Sequence, residues 1–277
     1  MSATIVWLRR DLRLADNPAL SAAAERGAPV VPLYILDDQA DGDWPSGAAS
    51  RYWLHQSLAS LGKSLDDLGA PLILGKGDSL EQLRDVIAPA GADAVYFNRL
   101  HDPALFDRDV EIEAELQPAG VELRTFKSHV LFEPEEVATQ QGEPYKVFTP
   151  FWKSCLKLDA PDKPLAAPSS LVASQKSIES LDLADLGLEP EVDWALGIRE
   201  AWGFGERGAH DRLEGFLDNA LADYDTNRDR PDLDGVSRLS PHLHFGEISP
   251  RQIWHAVKAH GDGETESADR FLAEVGW

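Results

Sequence analysis

Residues 224–251 carry the densest set of groups that could bind an anion. Within them, residues 235–240 (GVSRLS) supply a leading glycine, two hydroxyls, one guanidinium and successive backbone N–H groups. This composition suits a loop that cradles a diphosphate. Ser240-Pro241 and Ser249-Pro250 also have the pattern of a helix N-cap followed by proline, so capping and binding are both compatible with this segment.

A second cationic group directly follows an apolar run near the N-terminus: Arg9, Arg10 and Arg13. Asp16-Asn17-Pro18 then has the pattern of a helix start, so the segment predicts a strand-to-helix junction. Arginines at the carboxyl end of a strand could line a crevice for an anionic ligand. They could equally pair with Asp11 and Asp16 on the surface, and this segment alone favours neither interpretation.

The sequence Gly203-Phe-Gly205-Glu-Arg-Gly208 matches the glycine pattern of dinucleotide-binding folds. That pattern requires a preceding strand, whereas residues 195–202 are typical of a helix or loop, so we expect only an entry into a helix that starts near Ala209. Walker A, HExxH, paired CxxC and GxSxG sequences are all absent, which argues against the common nucleotidases, zinc enzymes and serine hydrolases. No metal site is predicted.

The elements that would position these groups begin with five short apolar runs, which predict strands at residues 4–8, 29–36, 71–74, 93–97 and 121–126. Residues 49–68 and 103–116 between them have helical spacing. Alternation of strand and helix predicts a doubly wound, parallel, five-stranded Rossmann-like α/β sheet over residues 1–130, with its ligand crevice at the carboxyl ends of the strands.

Proline, serine and aspartate interrupt any regular pattern over residues 131–198, which predicts a long interdomain linker. Helical spacing returns at residues 209–224, 249–260 and 267–277, without a strand between them. Residues 199–277 are therefore expected to be all-helical. A piece of this size that stops within an apolar pattern is too small to bury its own faces, so we expect an incomplete helical domain.

The net charge is -22, from 26 Lys and Arg against 48 Asp and Glu. Such a charge argues against a protein that coats nucleic acid non-specifically, and DNA binding would need a local cationic patch, for which Arg228, Arg230 and Arg251 are candidates. The lone Cys155, the lack of an 18-residue apolar run and the lack of a signal-peptide core predict a cytoplasmic protein without membrane segments. We expect a monomer.

Three segments in order resemble the DNA photolyase and cryptochrome family: VWLRRDLRLADNPAL at residues 6–20, YKVFTPFWK at 145–153, and YDTNRDRP with GVSRLSPHLHFGEISPR at 224–251. The match is similar to the N-terminal portion of class I or class III cyclobutane-dimer photolyases, whose chains continue well past the segment resembling FLAEVGW. The resemblance implies an antenna-binding α/β domain, a long linker and a helical domain that binds FAD.

Residue by residue, the resemblance implies that Tyr224 lies beside the phosphate and sugar of the flavin. It implies a diphosphate-binding run at five successive positions: Val236, Ser237, Arg238, Leu239 and Ser240. The family commonly has threonine where this chain has Val236, so one hydroxyl is lost and only the backbone N–H remains there.

The resemblance also implies a site for damaged DNA. Arg228 matches a residue near the DNA-binding mouth, while Glu274 and Trp277 match the acid and the aromatic that contact a flipped pyrimidine dimer. A flat indole stacks on an extruded base and a carboxyl hydrogen-bonds to it, so both roles are chemically sensible. The alternative for Trp277 is a core aromatic at the end of a helix.

For the antenna, Arg9 and Arg108 stand where deazaflavin-binding relatives have arginines. Leu100 and His244 stand where those relatives tend to have an acid and a lysine, which argues against deazaflavin. The segment GAASRYWLHQSL at residues 47–58 resembles members that bind a reduced folate. Methenyltetrahydrofolate is therefore the first expectation, with deazaflavin or no antenna next.

The resemblance predicts light-driven, FAD-dependent repair of cyclobutane pyrimidine dimers in DNA, a deoxyribodipyrimidine photolyase activity. One alternative is a cryptochrome, a blue-light receptor with the same FAD and no repair. Glu274 together with Trp277 favours repair, because signalling requires no dimer-binding pair. Another is a truncated product that retains at most antenna binding, and we predict that the 277-residue chain alone is inactive.

Overall fold

The computed structural model of this protein describes residues 1–40, 42, 44–139 and 141–277. Its sheet has five parallel strands in the order β3-β2-β1-β4-β5: β1 (Ala3–Leu8), β2 (Val30–Leu36), β3 (Ile73–Lys76), β4 (Ala92–Asn98) and β5 (Glu122–Phe126). The predicted doubly wound five-stranded sheet is confirmed. The third strand begins two residues later than the predicted range of 71–74.

Helices cover both faces of this sheet, which explains why β1 and β2 are apolar throughout rather than alternating. Helices α1 (Pro18–Glu25) and α2 (Ala48–Asp67) pack in one apolar core with Val6 and Leu8. Helices α3 (Ser79–Ala90) and α4 (Pro103–Leu116), the second followed by a 3-10 turn, lie in the other core with Ile5 and Trp7. The predicted start of α1 is confirmed, since the Asn17 side chain accepts from the N–H of Leu20.

Residues 131–198 contain helix α5 (Phe148–Cys155), a 3-10 turn (Leu183–Leu186) and the start of α6 (Leu196–Ala201). Much of this segment lies against the sheet domain. The N–H of Val30 donates to the carbonyl of Val172 at 2.8 Å, and the N–H of Leu181 donates to that of Leu74 at 2.9 Å. Leu186 is fully buried in the core beneath α1 and α2, so the segment is packed along the sheet rather than free in solvent.

Residues 199–277, all of which the structure describes, contain helices and no strand, as predicted. After α6 the helices are α7 (Gly205–Asn219), α8 (Tyr224–Asn227), α9 (Ser240–Phe245), α10 (Pro250–Ala259) and α11 (Glu266–Val275). They enclose one apolar core, to which Leu131 and Trp152 of the preceding segment contribute. None of the helices in the described part of the chain is both long and apolar enough to cross a membrane.

The predicted helix over residues 209–224 is wrong at both ends. Helix α7 begins at Gly205 and ends at Asn219, and the chain turns before α8. Leu221 and Tyr224 are buried in the same core as α7, so the apolar spacing continues across a turn in the backbone. Periodicity reports which side chains are buried, and here it does not report where the helix stops.

The two predicted serine caps have different outcomes. Ser249 caps α10: its Oγ accepts from the N–H of Gln252 at 3.0 Å, and its own N–H donates to Oε1 of Gln252 at 2.8 Å. Ser240 is instead the first residue of α9 and Leu239 occupies the N-cap position, so the capping prediction is wrong there.

Candidate functional site

A cleft on the helical side, here called the helical cleft, lies between residues 236–240 and helices α8 and α11, and has a cavity volume of about 270 Å³. Apolar side chains of α9, α10 and α11 form its floor. Seven residues singled out in the sequence line it together: Tyr224, Val236, Ser237, Arg238, Leu239, Ser240 and Glu274. Helix α11 brings Glu274 to a loop that lies more than 30 positions earlier in the chain.

The loop of residues 235–240, here called the 235–240 loop, is held from beneath. Leu239 is buried in the helical core, and Gly235 lies against Asn227 so closely that an added Cβ would stand 2.8 Å from the Asn227 Cβ. Arg238 adopts a left-handed conformation, with φ of 53°. Within the described residues, the backbone N–H groups of Val236, Ser237 and Arg238 donate no hydrogen bond. Unused donors on a fixed loop are what an anion cradle requires.

The charged group of this loop is the guanidinium of Arg238, whose Nη2 lies 3.0 Å from Oδ1 of Asp234. Both side chains are about half exposed or more, at 49% and 68%. Val236 presents an exposed isopropyl group to the cleft and supplies no hydroxyl. The loop therefore offers an anion one accessible cation, serine hydroxyls and three free N–H groups.

Tyr224, Arg228 and Glu274 form a connected group at the mouth of the cleft. The buried Tyr224 ring packs edge-on against Phe216 and Phe271, and burial raises the pKa of its hydroxyl. The Arg228 guanidinium lies 5.7 Å from the centre of that ring and donates a hydrogen bond to the Glu274 carboxylate, which raises the pKa of Arg228. Glu274 is held in place by a cation at the edge of the cleft.

Trp277 is two-thirds exposed and lies outside this group. It makes edge contacts with Phe148 and Phe151 of α5, with ring centroids 5.2 and 5.6 Å apart, and lines a neighbouring pocket with Tyr145. The structure thus separates Trp277 from Glu274. It also gives the YKVFTPFWK segment a role that the sequence did not indicate, which is to support the Trp277 ring.

A second opening, here called the sheet crevice, lies at the carboxyl ends of β1 and β2 and has a cavity volume of about 90 Å³. Its lining includes four residues considered for the antenna: Arg9, Arg108, Leu100 and His244. Arg9 and Arg108 share one carboxylate, because Asp109 accepts from Arg9 at 2.8 and 2.9 Å and from Arg108 at 2.8 Å. Both guanidiniums also lie within 4.7 Å of the centre of the Trp7 ring.

Of the two interpretations left open for the N-terminal arginines, surface pairing with Asp11 and Asp16 is not what the structure has. Arg9 is buried against Asp109, and Arg10 pairs with Asp102. Arg13 is also buried and donates to the carbonyls of Asp16 and Gly246 and to Oγ of Ser128. Desolvation lowers the pKa of Arg9 and Arg13. Arg9 and Arg13 hold the structure together, and Arg10 and Arg108 remain at the crevice wall.

Asp16 forms a buried link that the sequence did not predict. Its φ is 51°, and its carboxylate accepts from the Arg251 guanidinium at 2.7 and 3.1 Å, from the Ser249 hydroxyl and from the N–H of Leu165. Arg251 is buried by this contact. The expectation that it belongs to a cationic surface patch is therefore wrong. Asp16 instead joins the sheet domain, the connecting segment and α10.

The glycine-rich segment at residues 203–208 belongs to the same junction. The Glu206 carboxylate accepts from the N–H groups of Leu14 and Ala15 at 2.9 and 3.0 Å, and the Glu247 carboxylate accepts from the N–H of Gly205 at 2.8 Å. Gly205 has φ of 73° and opens α7. The segment is a helix start, as expected, although the helix begins four residues before Ala209.

Comparison with known proteins bears on these clefts. The sequence profile of the DNA photolyase family matches residues 4–169. A deoxyribodipyrimidine photo-lyase of Agrobacterium fabrum is 42% identical over 275 residues, covering 99% of this chain and 57% of the relative. Cryptochrome-1 of Arabidopsis thaliana is 36% identical over 283 residues, covering 99% of this chain and 41% of the relative.

Among solved structures, a bacterial class III photolyase from Agrobacterium tumefaciens superposes with a TM-score of 0.94 at 41% identity. The superposition covers 100% of this chain and 57% of that structure. The chain therefore spans a little over half the length of the photolyases it resembles, and the helical cleft lies within the shared part.

Proposed function

The chain belongs to the DNA photolyase family, and we propose that it provides the antenna domain and the phosphate-binding part of the flavin site of a deoxyribodipyrimidine photolyase. Such an enzyme binds DNA that contains cyclobutane pyrimidine dimers and splits the dimers with light. The observation that carries the proposal is the helical cleft, which is lined by Arg238, two serines, Tyr224 and Glu274, and whose loop has backbone N–H groups without an acceptor among the described residues.

The residues present fit the diphosphate of FAD. Arg238 supplies a charge-assisted hydrogen bond, Ser237 and Ser240 supply hydroxyls, and Val236 contributes its N–H alone. The buried ring of Tyr224 closes one side of the cleft and fixes Arg228 above it. When bound, FAD would supply the one-electron chemistry of repair, while the protein supplies position and charge.

The dimer would bind beside Glu274 and Trp277. The Glu274 carboxylate is held ready by Arg228 to accept hydrogen bonds from a flipped base, and the exposed Trp277 ring offers a face for stacking. Arg228 and the exposed Arg230 lie close together in the chain, and a local cationic patch there would contact DNA phosphates despite the net charge of -22. We place the protein in the cytoplasm, as a monomer.

The antenna would bind in the sheet crevice. We propose methenyltetrahydrofolate first and deazaflavin second, because Leu100 and His244 line the crevice where deazaflavin-binding relatives tend to have an acid and a lysine. Asp109 accepts hydrogen bonds from both Arg9 and Arg108, so Arg9 acts by holding Asp109 and Arg108 in place against Trp7. Difference absorption spectra with each chromophore would identify the ligand.

The flavin assignment is tested by the substitution Arg238→Ala. It removes a charge-assisted hydrogen bond to the diphosphate, so FAD should bind more weakly by about 1.5 to 3 kcal/mol. Isothermal titration calorimetry measures the change, and Arg207→Ala is the matched control because Arg207 is an exposed arginine on the first turn of α7. An FAD affinity unaffected by Arg238→Ala contradicts the assignment.

Repair by the 277-residue chain is tested separately. A flavin held by its diphosphate would keep its ring in solvent, so illumination with FAD, a reductant and a dimer-containing oligonucleotide should leave the dimer intact. Light-dependent catalytic loss of the dimer would contradict this.

Tighter binding of the damaged than of the undamaged oligonucleotide supports a repair protein, whereas equal binding supports a cryptochrome, the second kind of relative found.

A further inference from the structure

The segment of residues 223–238 contains three arginines and five acidic residues. Each of the three arginines is already paired with a carboxylate: Arg228 with Glu274, Arg230 with Asp232, and Arg238 with Asp234. An anionic ligand that approaches the cleft therefore meets a cationic group that is neutralised in advance. An incoming anion therefore competes with a carboxylate for each of these guanidiniums.

Arg238 is the only one of these three arginines within the 235–240 loop. Its partner Asp234 lies just before Gly235 and, together with Val236, lines the groove on the other side of the loop. The pair is half exposed, and pairs of this kind contribute about 0.2 to 1 kcal/mol. A diphosphate, which carries two negative charges in FAD, can thus displace the carboxylate, but it then binds beside an uncompensated negative charge.

We propose that Asp234 is an internal competitor for Arg238 and sets the affinity of the cleft for diphosphate groups. The proposal rests on the proposed function, since it presumes that Arg238 binds phosphate. Without ligand, the Asp234 carboxylate occupies the guanidinium. With ligand, the guanidinium exchanges that carboxylate for phosphate oxygens, and the carboxylate of Asp234 returns to solvent.

The substitution Asp234→Asn tests the proposal, with inorganic pyrophosphate as the probe and the whole 277-residue chain as the protein. Releasing Arg238 and removing the nearby negative charge should lower the dissociation constant by about threefold to tenfold in isothermal titration calorimetry. Asp234 is 68% exposed, so its replacement leaves the fold intact. A dissociation constant that is unchanged or higher overturns the proposal, because Asp234 would then be a bystander or a positioning residue.

Two further variants separate the possible causes. Asp232→Asn is the matched control: it removes the same charge from an exposed pair two residues away, and it should change the dissociation constant less than twofold. An equal gain in both variants would mean that total charge is responsible and would overturn the proposal. The double variant Asp234→Asn with Arg238→Ala should bind no better than Arg238→Ala alone, because the gain acts through Arg238.

Failure of this inference is distinguishable from failure of the proposed function. Loss of pyrophosphate binding in Arg238→Ala with no gain in Asp234→Asn rejects the competitor and keeps the phosphate site. Unchanged binding in Arg238→Ala rejects the phosphate site, and the competitor with it.

Discussion

The arginines at the edge of the sheet and the arginine of the helical cleft are held in different ways. At the carboxyl edge of the sheet, buried Arg9 and Arg13 find partners inside the protein, Arg9 in Asp109 and Arg13 chiefly in backbone carbonyls. In the helical cleft, Arg238 is half exposed and the N–H groups beside it donate no hydrogen bond within the described residues. Satisfied polar groups stabilise a fold, whereas accessible unsatisfied ones are available to a ligand.

The boundary between these two regions is charged and buried. Asp16 and Arg251 form a buried ion pair between the sheet domain and α10. The buried Glu247 carboxylate contacts His242 of α9 and accepts a hydrogen bond from the Ser57 hydroxyl of α2, so it also joins the two regions. Removal of one partner from such a pair leaves a charge without compensation in a dry environment. The two regions should therefore lose stability together, although their surfaces serve different purposes.

The largest effect is expected from breaking this boundary with Asp16→Ala. It leaves Arg251 buried without its partner, so the free energy of unfolding should fall by about 3 to 5 kcal/mol in urea denaturation. Asp193→Ala is the control, since Asp193 pairs with Arg199 on the surface and should cost at most about 1 kcal/mol. A loss below 1 kcal/mol for Asp16→Ala would show that the two regions are independent.

An intermediate effect on stability is expected when the pH is lowered, because of His129. This residue follows β5 near the boundary. Burial and the neighbouring arginines hold the pKa of His129 well below its ordinary value of 6.5, and its Nε2 has no hydrogen-bond partner within the described residues. The unfolded chain takes up a proton as pH falls below about 6.5 while the folded chain does not, so stability should decrease below that pH.

The substitution His129→Gln should remove part of that decrease between pH 7 and pH 5, measured as the free energy of unfolding. His260→Gln is the control, because His260 lies beside two carboxylates, those of Asp218 and Asp262, rather than beside arginines. If wild type and His129→Gln lose stability equally on acidification, His129 does not cause the pH dependence. Keeping His129 uncharged then contributes nothing to the stability of the boundary.

The smallest effect is expected from Val236→Thr, which sharpens the contrast on the helical side. A hydroxyl at this exposed position of the cleft would add a hydrogen bond to the diphosphate and tighten FAD binding by about 1 kcal/mol, or roughly fivefold. Val236→Ala is the control: it changes the side chain at this position without adding a hydroxyl. Equal affinities for all three proteins would place the side chain of residue 236 away from the ligand.

Local pattern was enough to predict the sheet, because strand-sized apolar runs alternate with helical spacing along residues 1–130. It was not enough for the boundary, because Asp109 lies 100 residues from Arg9 and Arg251 lies 235 residues from Asp16. Pairing across such separations depends on how the elements pack. The turn before Tyr224 was missed for a related reason, since burial continues across it.

The candidate site was predicted through resemblance and then assembled by the fold. Residues 236–240 are contiguous, so the sequence could present them as one loop. Their meeting with Glu274 depends on the packing of α11 against α8, which no local pattern encodes. The position of Trp277 against Phe148 and Phe151 depends on α5, a helix that the sequence analysis did not predict.

The central claim is that the helical cleft, rather than the sheet crevice, binds the diphosphate of the flavin. Hydrogen–deuterium exchange of the whole chain with and without ADP, which carries the same diphosphate, measures this directly. If the diphosphate binds in the helical cleft, addition of ADP slows exchange over residues 235–240 and leaves exchange at the carboxyl ends of β1 and β2 unchanged. Slower exchange at those strand ends, with none over residues 235–240, would contradict it.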